Sequence, residues 1–185
     1  VWHGERQKYA PPSPEIRITS MIKAAIITVS DRCSRGQRED LTGEALRVLL
    51  EEDGFHVAEK VIVPDERDEI VRKLIEFSDV KGYELIVTNG GTGVSPRDVT
   101  PDATREVIER EVPGMAEAMR MESFRITPHA LISRAVVGIR KQSLIVNLPG
   151  SPKGAKENYQ VIRKAIPHAL EKIRGSTEEC APPGS

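Results

Sequence analysis

Apolar and polar positions follow two alternating rhythms along this chain. Lys23 to Val29 is an unbroken run rich in Ile and Val, as expected for a strand covered on both faces. Leu41, Ala45, Val48 and Leu49 then recur at helical spacing up to Glu52, and Gly54 supplies the stop. Phe55 to Val63 reads as a second strand, broken by Pro64. Asp65 stands where a helix N-cap belongs, ahead of an apolar stripe at Ile70, Leu74 and Ile75 that predicts a helix to about Ser78. Leu85 to Thr88 is the third strand. Thr100 as a capping hydroxyl and Pro101 at the first helical position start a helix ending near Glu111, and Pro113 opens the next. Ala135 to Ile139 and Leu144 to Asn147 read as two strands joined by a short link. Ser151 and Pro152 begin a final helix, kinked or restarted at Pro167 and ended at Gly175.

Strands alternating with helices in this way predict an α/β fold of three layers, a mostly parallel sheet flanked by helices. In such sheets ligands sit at the carboxyl ends of the strands. Four polar turns follow strands: Ser30-Asp31, Pro64-Asp65, Asn89 to Gly93, and Pro149-Gly150-Ser151. They are expected to gather on one edge. The turn Gly90-Gly91-Thr92-Gly93 carries the strongest chemical signal, because backbone N–H groups without a Cβ in the way can cradle an anion. Asp98 beside it suggests a metal ion shared with that anion. The turn is neither a dinucleotide fingerprint, which opens a helix directly after the first strand, nor a P-loop, which needs a following Gly-Lys-Ser/Thr.

Composition narrows the function classes. Over 185 residues the formal net charge is −1, without a basic stripe, which argues against a nucleic-acid partner. No apolar run approaches the ~20 residues that cross a bilayer, so no membrane association is expected. Cys33 and Cys180 lie far apart with no C-x-x-C spacing, which suits a reducing, cytoplasmic setting. The histidines have no metal-ligand spacing, so any metal should be hard and oxygen-bound, namely Mg²⁺. The expected organisation is one domain over 21–175, a disordered or appended extension over 1–20 ahead of Met21, and a flexible tail over 176–185.

Seven ordered blocks then add a resemblance. These are Thr28-Val29-Ser30-Asp31, Val63-Pro64-Asp65-Glu66, Gly90-Gly91-Thr92-Gly93, Pro96 to Thr104, Pro113-Gly114-Met115, Leu131-Ile132-Ser133-Arg134 and Asn147-Leu148-Pro149-Gly150-Ser151. Together they resemble the MogA/MoaB molybdopterin adenylyltransferases and the gephyrin G domain, over about Ile22 to Arg174. The resemblance implies a Rossmann-like homotrimer that transfers AMP from Mg-ATP to molybdopterin, releases pyrophosphate, and hands its product to a molybdate-insertion enzyme. It implies that Asp65 and Asp98 are catalytic, and two such carboxylates can hold Mg²⁺. It places Ser123 and Ser133 at the pterin, and Ser30, Asp31, Gly90, Gly91, Thr92, Gly93, Pro149, Gly150 and Ser151 around nucleotide and phosphate. Arg97, Arg134 and Lys153 are left unranked as sources of positive charge. A MoaB-type pterin-binding protein, or a trimeric scaffold without adenylyl transfer, stands as the alternative.

Overall fold

The computed structural model describes residues 21–176; the expected extension over 1–20, Cys180 and the tail beyond Ser176 lie outside the described residues. Chain order runs β1 (Lys23–Val29), α1 (Asp31–Ser34), α2 (Leu41–Glu52), β2 (His56–Val63), α3 (Arg67–Ile75) and a π-helical turn (Glu76–Val80). It continues with β3 (Leu85–Asn89), α4 (Thr100–Val107), β4 (Arg110–Glu111), α5 (Pro113–Phe124) and a 3-10 turn (Pro128–Ile132). The last elements are β5 (Val137–Arg140), β6 (Ser143–Leu148), α6 (Pro152–Ile162) and α7 (Ala165–Ile173).

Six strands form one sheet in the order β2-β1-β3-β6-β5-β4. The first four are mutually parallel, while β5 and β4 add an antiparallel edge. The expected mostly parallel sheet is therefore present. Successive strand residues point to opposite faces, and each face has its own apolar core. Ala24, Ile26, Leu85, Val87, Leu144 and Val146 pack with Leu46, Met119, Tyr159 and Ile166 from α2, α5, α6 and α7. Ala25, Ile27, Ile86 and Ile145 pack with Ile70, Leu74, Ala103 and Val107 from α3 and α4. Burial on both sides explains why β1, β3 and β6 read as continuous apolar runs. β2, at the edge, alternates exposed and half-buried positions instead.

The chain leaves β1 for β2 on one side and returns to β3 on the other. The crevice beyond the carboxyl ends of β1 and β3 is thus a switch point, where α/β sheets bind ligands.

Several local expectations need correction. Asp65 is not the cap of α3; Glu66 holds that position without a side-chain bond, and the Asp65 carboxylate accepts the Asp31 N–H at the start of α1 instead. Thr100 lies inside α4, with Val99 at the cap, because its hydroxyl donates to the Gly90 carbonyl at 2.8 Å. That helix stops at Val107, not Glu111. Ile108 is already extended, and Arg110 and Glu111 pair with Ile139 and Gly138 at the sheet edge. The stripe after Asp65 ends as a π turn, where Ser78 donates to the Leu74 carbonyl at 2.8 Å. The final helix breaks before Pro167, which falls within the first turn of α7. The Ser151 cap holds as read: its hydroxyl accepts from Gly154 N–H at 3.2 Å.

Candidate active site

The glycine turn leaves β3 in a conformation that only glycine adopts easily. Gly90 and Gly91 have φ of +99° and +63°. Gly90 donates its N–H to the Leu148 carbonyl at 3.1 Å, which ties the turn to the end of β6. A Cβ on Gly150 would lie 3.2 Å from the Gly90 Cα, so the two turns pack backbone against backbone. Thr100 closes the neck of the following loop: its N–H reaches the Gly91 carbonyl at 3.1 Å and its hydroxyl the Gly90 carbonyl.

Two hollows adjoin this turn. The first, about 280 Å³, is lined by Ser30, Asp65, Gly90, Gly91, Gly150 and Ser151 together with the ends of β1 and α2. The second, about 320 Å³, is lined by Thr92, Gly93, Ser123, Ser133, Pro149 and Ser151, with Ile126 and Ile132 adding apolar wall. Gly90-Gly91 faces one hollow, Thr92-Gly93 faces the other, and Ser151 borders both. The strand-end turns that lay far apart in sequence therefore meet on one rim.

Asp31 and Asp98 line neither hollow. Asp31 forms a reciprocal pair with Asp65, which lines the first. Its N–H donates to Asp65 Oδ2 at 2.7 Å, and Asp65 N–H donates to Asp31 Oδ1 at 3.1 Å. Arg97 bridges Asp31 at 2.8 Å and Glu66 at 2.9 Å, holding the Asp31 carboxyl below its ordinary range. Asp65 is pushed the other way, chiefly by burial, with the charges of Asp31 and Asp98 adding to the rise. Asp98 approaches the same glycine turn as Asp65, since a Cβ on Gly91 would lie 3.4 Å from Asp65 Oδ1. Asp98 Oδ2 accepts the Ser95 N–H at 2.8 Å, and a Cβ on Gly93 would fall 2.9 Å from that oxygen.

Beneath the first hollow runs a buried polar chain that sequence reasoning missed. Asn89 Nδ2 donates to the Thr28 hydroxyl at 2.9 Å, and Thr28 donates to Asp40 Oδ2 at 2.8 Å. Asp40 in turn caps α2 by accepting the Gly43 N–H at 2.8 Å, and Thr42 donates to the Gly150 carbonyl at 2.8 Å. The available signal was an aspartate directly before the helical stripe at Leu41. The basic candidates separate clearly. Arg97 is engaged by Asp31 and Glu66, and Arg134 is engaged by Asp102. Lys153 is 80% exposed, 3.9 Å from Glu157. Asp102, in the first turn of α4, is thereby tied to Arg134.

Among the described residues, no three acidic, histidine or cysteine side chains converge to hold a metal. The donors present are one or two carboxylates at the rim of a glycine nest. That set suits Mg²⁺ only when phosphate oxygens complete its coordination, which is how Mg²⁺ is usually bound.

Comparison with known proteins agrees with this geometry. Residues 25–168 match the family described as probable molybdopterin binding domain. A molybdopterin adenylyltransferase of Helicobacter pylori is 43% identical over 84% of this chain and 89% of its own length. The crystal structure of the molybdopterin biosynthesis enzyme MoaB from Thermus thermophilus superposes with a TM-score of 0.80 at 49% identity, covering 84% of this chain and 98% of that one. The Mog protein of Mycobacterium ulcerans superposes at 0.79 with 36% identity, covering 85% and 99%. A glycine nest at the switch point, two hollows sharing one wall, and similarity extending through the whole described core lead to one assignment: this chain belongs to the family of probable molybdopterin binding domains.

Proposed function

We propose that this protein acts in molybdenum cofactor biosynthesis as a molybdopterin adenylyltransferase, using Mg-ATP and releasing pyrophosphate. The observation that carries the reading is the pair of hollows that meet at the glycine turn and at Ser151. Two substrates seated one on each side would meet at its amides. The hollow with apolar walls at Ile126 and Ile132 suits a flat pterin, whose polar edge Ser123 and Ser133 would contact. The polar hollow at Ser30, Asp65, Gly90, Gly91 and Ser151 suits the nucleotide, with Asp31 paired to Asp65 beside it.

In the reaction a phosphate oxygen of molybdopterin attacks the α-phosphorus of ATP. The bond from that phosphorus to the bridging oxygen breaks, and pyrophosphate departs with the electron pair. The nucleophile is already anionic at neutral pH, so no general base is needed. The obstacle is assembling two polyanions, and positioning with charge neutralisation overcomes it. Asp65 and Asp98 are the residues that would hold Mg²⁺, which supplies Lewis-acid neutralisation of phosphate oxygens when bound. Gly91, Thr92 and Gly93 offer backbone donors that bring no competing charge, while the Gly90 N–H is engaged by the Leu148 carbonyl and anchors the turn. Their fixed backbone means the donors need not reorganise as charge shifts to the leaving group.

The test is incubation with molybdopterin and α-labelled Mg-ATP. Asp65→Asn and Asp98→Asn should each lower AMP transfer on the order of a hundredfold, about 3 kcal/mol, while pterin binding persists. Turnover unchanged in both variants refutes the assignment. The 49% identity to the Thermus MoaB structure favours one second reading, a pterin-binding role without AMP transfer. Calorimetry that detects molybdopterin but no Mg-ATP supports that reading against the first.

A homotrimer in the cytoplasm that delivers its product to a molybdate-insertion enzyme completes the proposal. Exposed Met121, Phe124 and Leu131 support self-association, since they leave apolar surface on α5 and the 3-10 turn outside the second hollow. Sedimentation that finds only monomer at micromolar concentration rejects the trimer.

A further inference from the structure

Arg134 holds the loop that follows the glycine turn at both of its ends. Its N–H donates to the Thr92 carbonyl at 2.9 Å. Nε donates to the Gly93 carbonyl at 2.8 Å, and Nη2 donates to the Asp98 carbonyl. Nη1 and Nη2 also grip the two carboxylate oxygens of Asp102, at 3.1 and 2.9 Å. Four side-chain hydrogen bonds thus engage a guanidinium that has five N–H groups.

The geometry points to Arg134 as a positioning residue that sets the shape of the segment from Thr92 to Asp98. One planar fork spans both ends of this segment and fastens them to Asp102 on the first turn of α4. The loop carbonyls are turned inward onto the cation, which leaves Gly93 at the hollow and sets the backbone from which Asp98 projects. Ser133, immediately before Arg134, lines the second hollow. The same stretch of chain therefore forms a wall of one hollow and braces the turn dividing the two. A lysine cannot substitute, because an ammonium is a point donor without the fork's fixed directions. Charge is also no substitute here, since Asp102 already neutralises the guanidinium.

Only the kinetic arm of the test rests on adenylyl transfer being the activity. The structural arm compares hydrogen exchange at the amides from Val94 to Val99 in the parent, Arg134→Lys and Asp102→Asn proteins without substrates. Exchange on the order of tenfold faster in both variants is expected, with exchange in β1 and β3 unchanged. Parental exchange in that segment overturns the inference. In the kinetic arm, Arg134→Lys should lower kcat on the order of a hundredfold while both KM values stay within about twofold. Millimolar guanidinium should restore part of kcat to Arg134→Ala. A raised KM for either substrate with parental kcat overturns the inference, because Arg134 would then be a substrate ligand. If Arg134→Lys does not fold, Asp102→Asn alone decides through the exchange measurement. If the parent transfers no AMP, the proposed function fails, and the exchange arm still judges the clamp.

Discussion

Replacing Gly90 with alanine tests whether the glycine turn is built for close approach. The added Cβ would lie 2.3 Å from the Val29 carbonyl oxygen, about 1 Å inside an ordinary carbon–oxygen contact of ~3.3 Å. That oxygen belongs to β1, a central strand, so it has no room to retreat. The φ of +99° adds a backbone penalty of about 1–2 kcal/mol for any L side chain. Overpacking contributes a further ~1–3 kcal/mol, giving about 2–5 kcal/mol in all. Against a domain stability of ~5–15 kcal/mol the variant should fold, but with a clearly lower urea midpoint. The least costly relaxation moves the turn away from β1, and a displacement of ~1 Å at the reacting centre costs on the order of a hundredfold in rate. Urea unfolding followed by circular dichroism, at fixed protein concentration, measures the first effect, and labelled AMP transfer measures the second. Gly114→Ala is the control: its Cβ meets nothing within 4 Å in the first turn of α5. It should be neutral or stabilising by up to ~1 kcal/mol. Stability of Gly90→Ala within ~0.5 kcal/mol of the parent, with parental turnover, refutes the close-approach argument.

Two further predictions concern pH. Asp65 has a raised folded-state pKa, so its ionised form is penalised in the fold as pH climbs from the ordinary carboxylate value of 3.8 past that raised value. Asp65→Asn should therefore raise the melting temperature at pH 7 and lose that advantage in acid; a gap independent of pH contradicts the burial argument. Asp79 shows the opposite sign. Arg140, 2.6 Å away, holds its pKa well below the usual range, so its stabilisation is full above the ordinary carboxylate pKa and fades as pH falls below it. Asp79→Asn should cost about 1–3 kcal/mol at pH 7, because Arg140 is left largely buried without its carboxylate, and less near pH 3. Equal costs at both pH values, read by thermal unfolding, reject the ion-pair explanation.

The parts of this molecule legible from sequence are those decided locally. β1, β3 and β6 announced themselves because both of their faces are covered, and α6 because Ser151 and Pro152 signal a start whatever surrounds them. Thr100 and Asp65 were misread for the converse reason. Each carries a polar group suited to capping, yet a partner distant in sequence, the Gly90 carbonyl or the Asp31 N–H, lies within reach in the fold. The end of α4 escaped because strand pairing of Arg110 and Glu111 with β5 decides it, and no glycine or proline marks the spot. The site was legible as a set of strand-end turns. Its division into two hollows was not, since that depends on which face of the glycine turn each wall meets.

The neck formed by Thr100 has a bearing on how such proteins diversify. Residues 92–99 begin and end within two hydrogen bonds of one another, so the excursion closes on itself before the chain enters α4. Lengthening or shortening it at the exposed tip around Val94 would not propagate strain into the sheet. Nature, or an engineer, can thus revise the substrate-facing rim here while the scaffold beneath keeps its register.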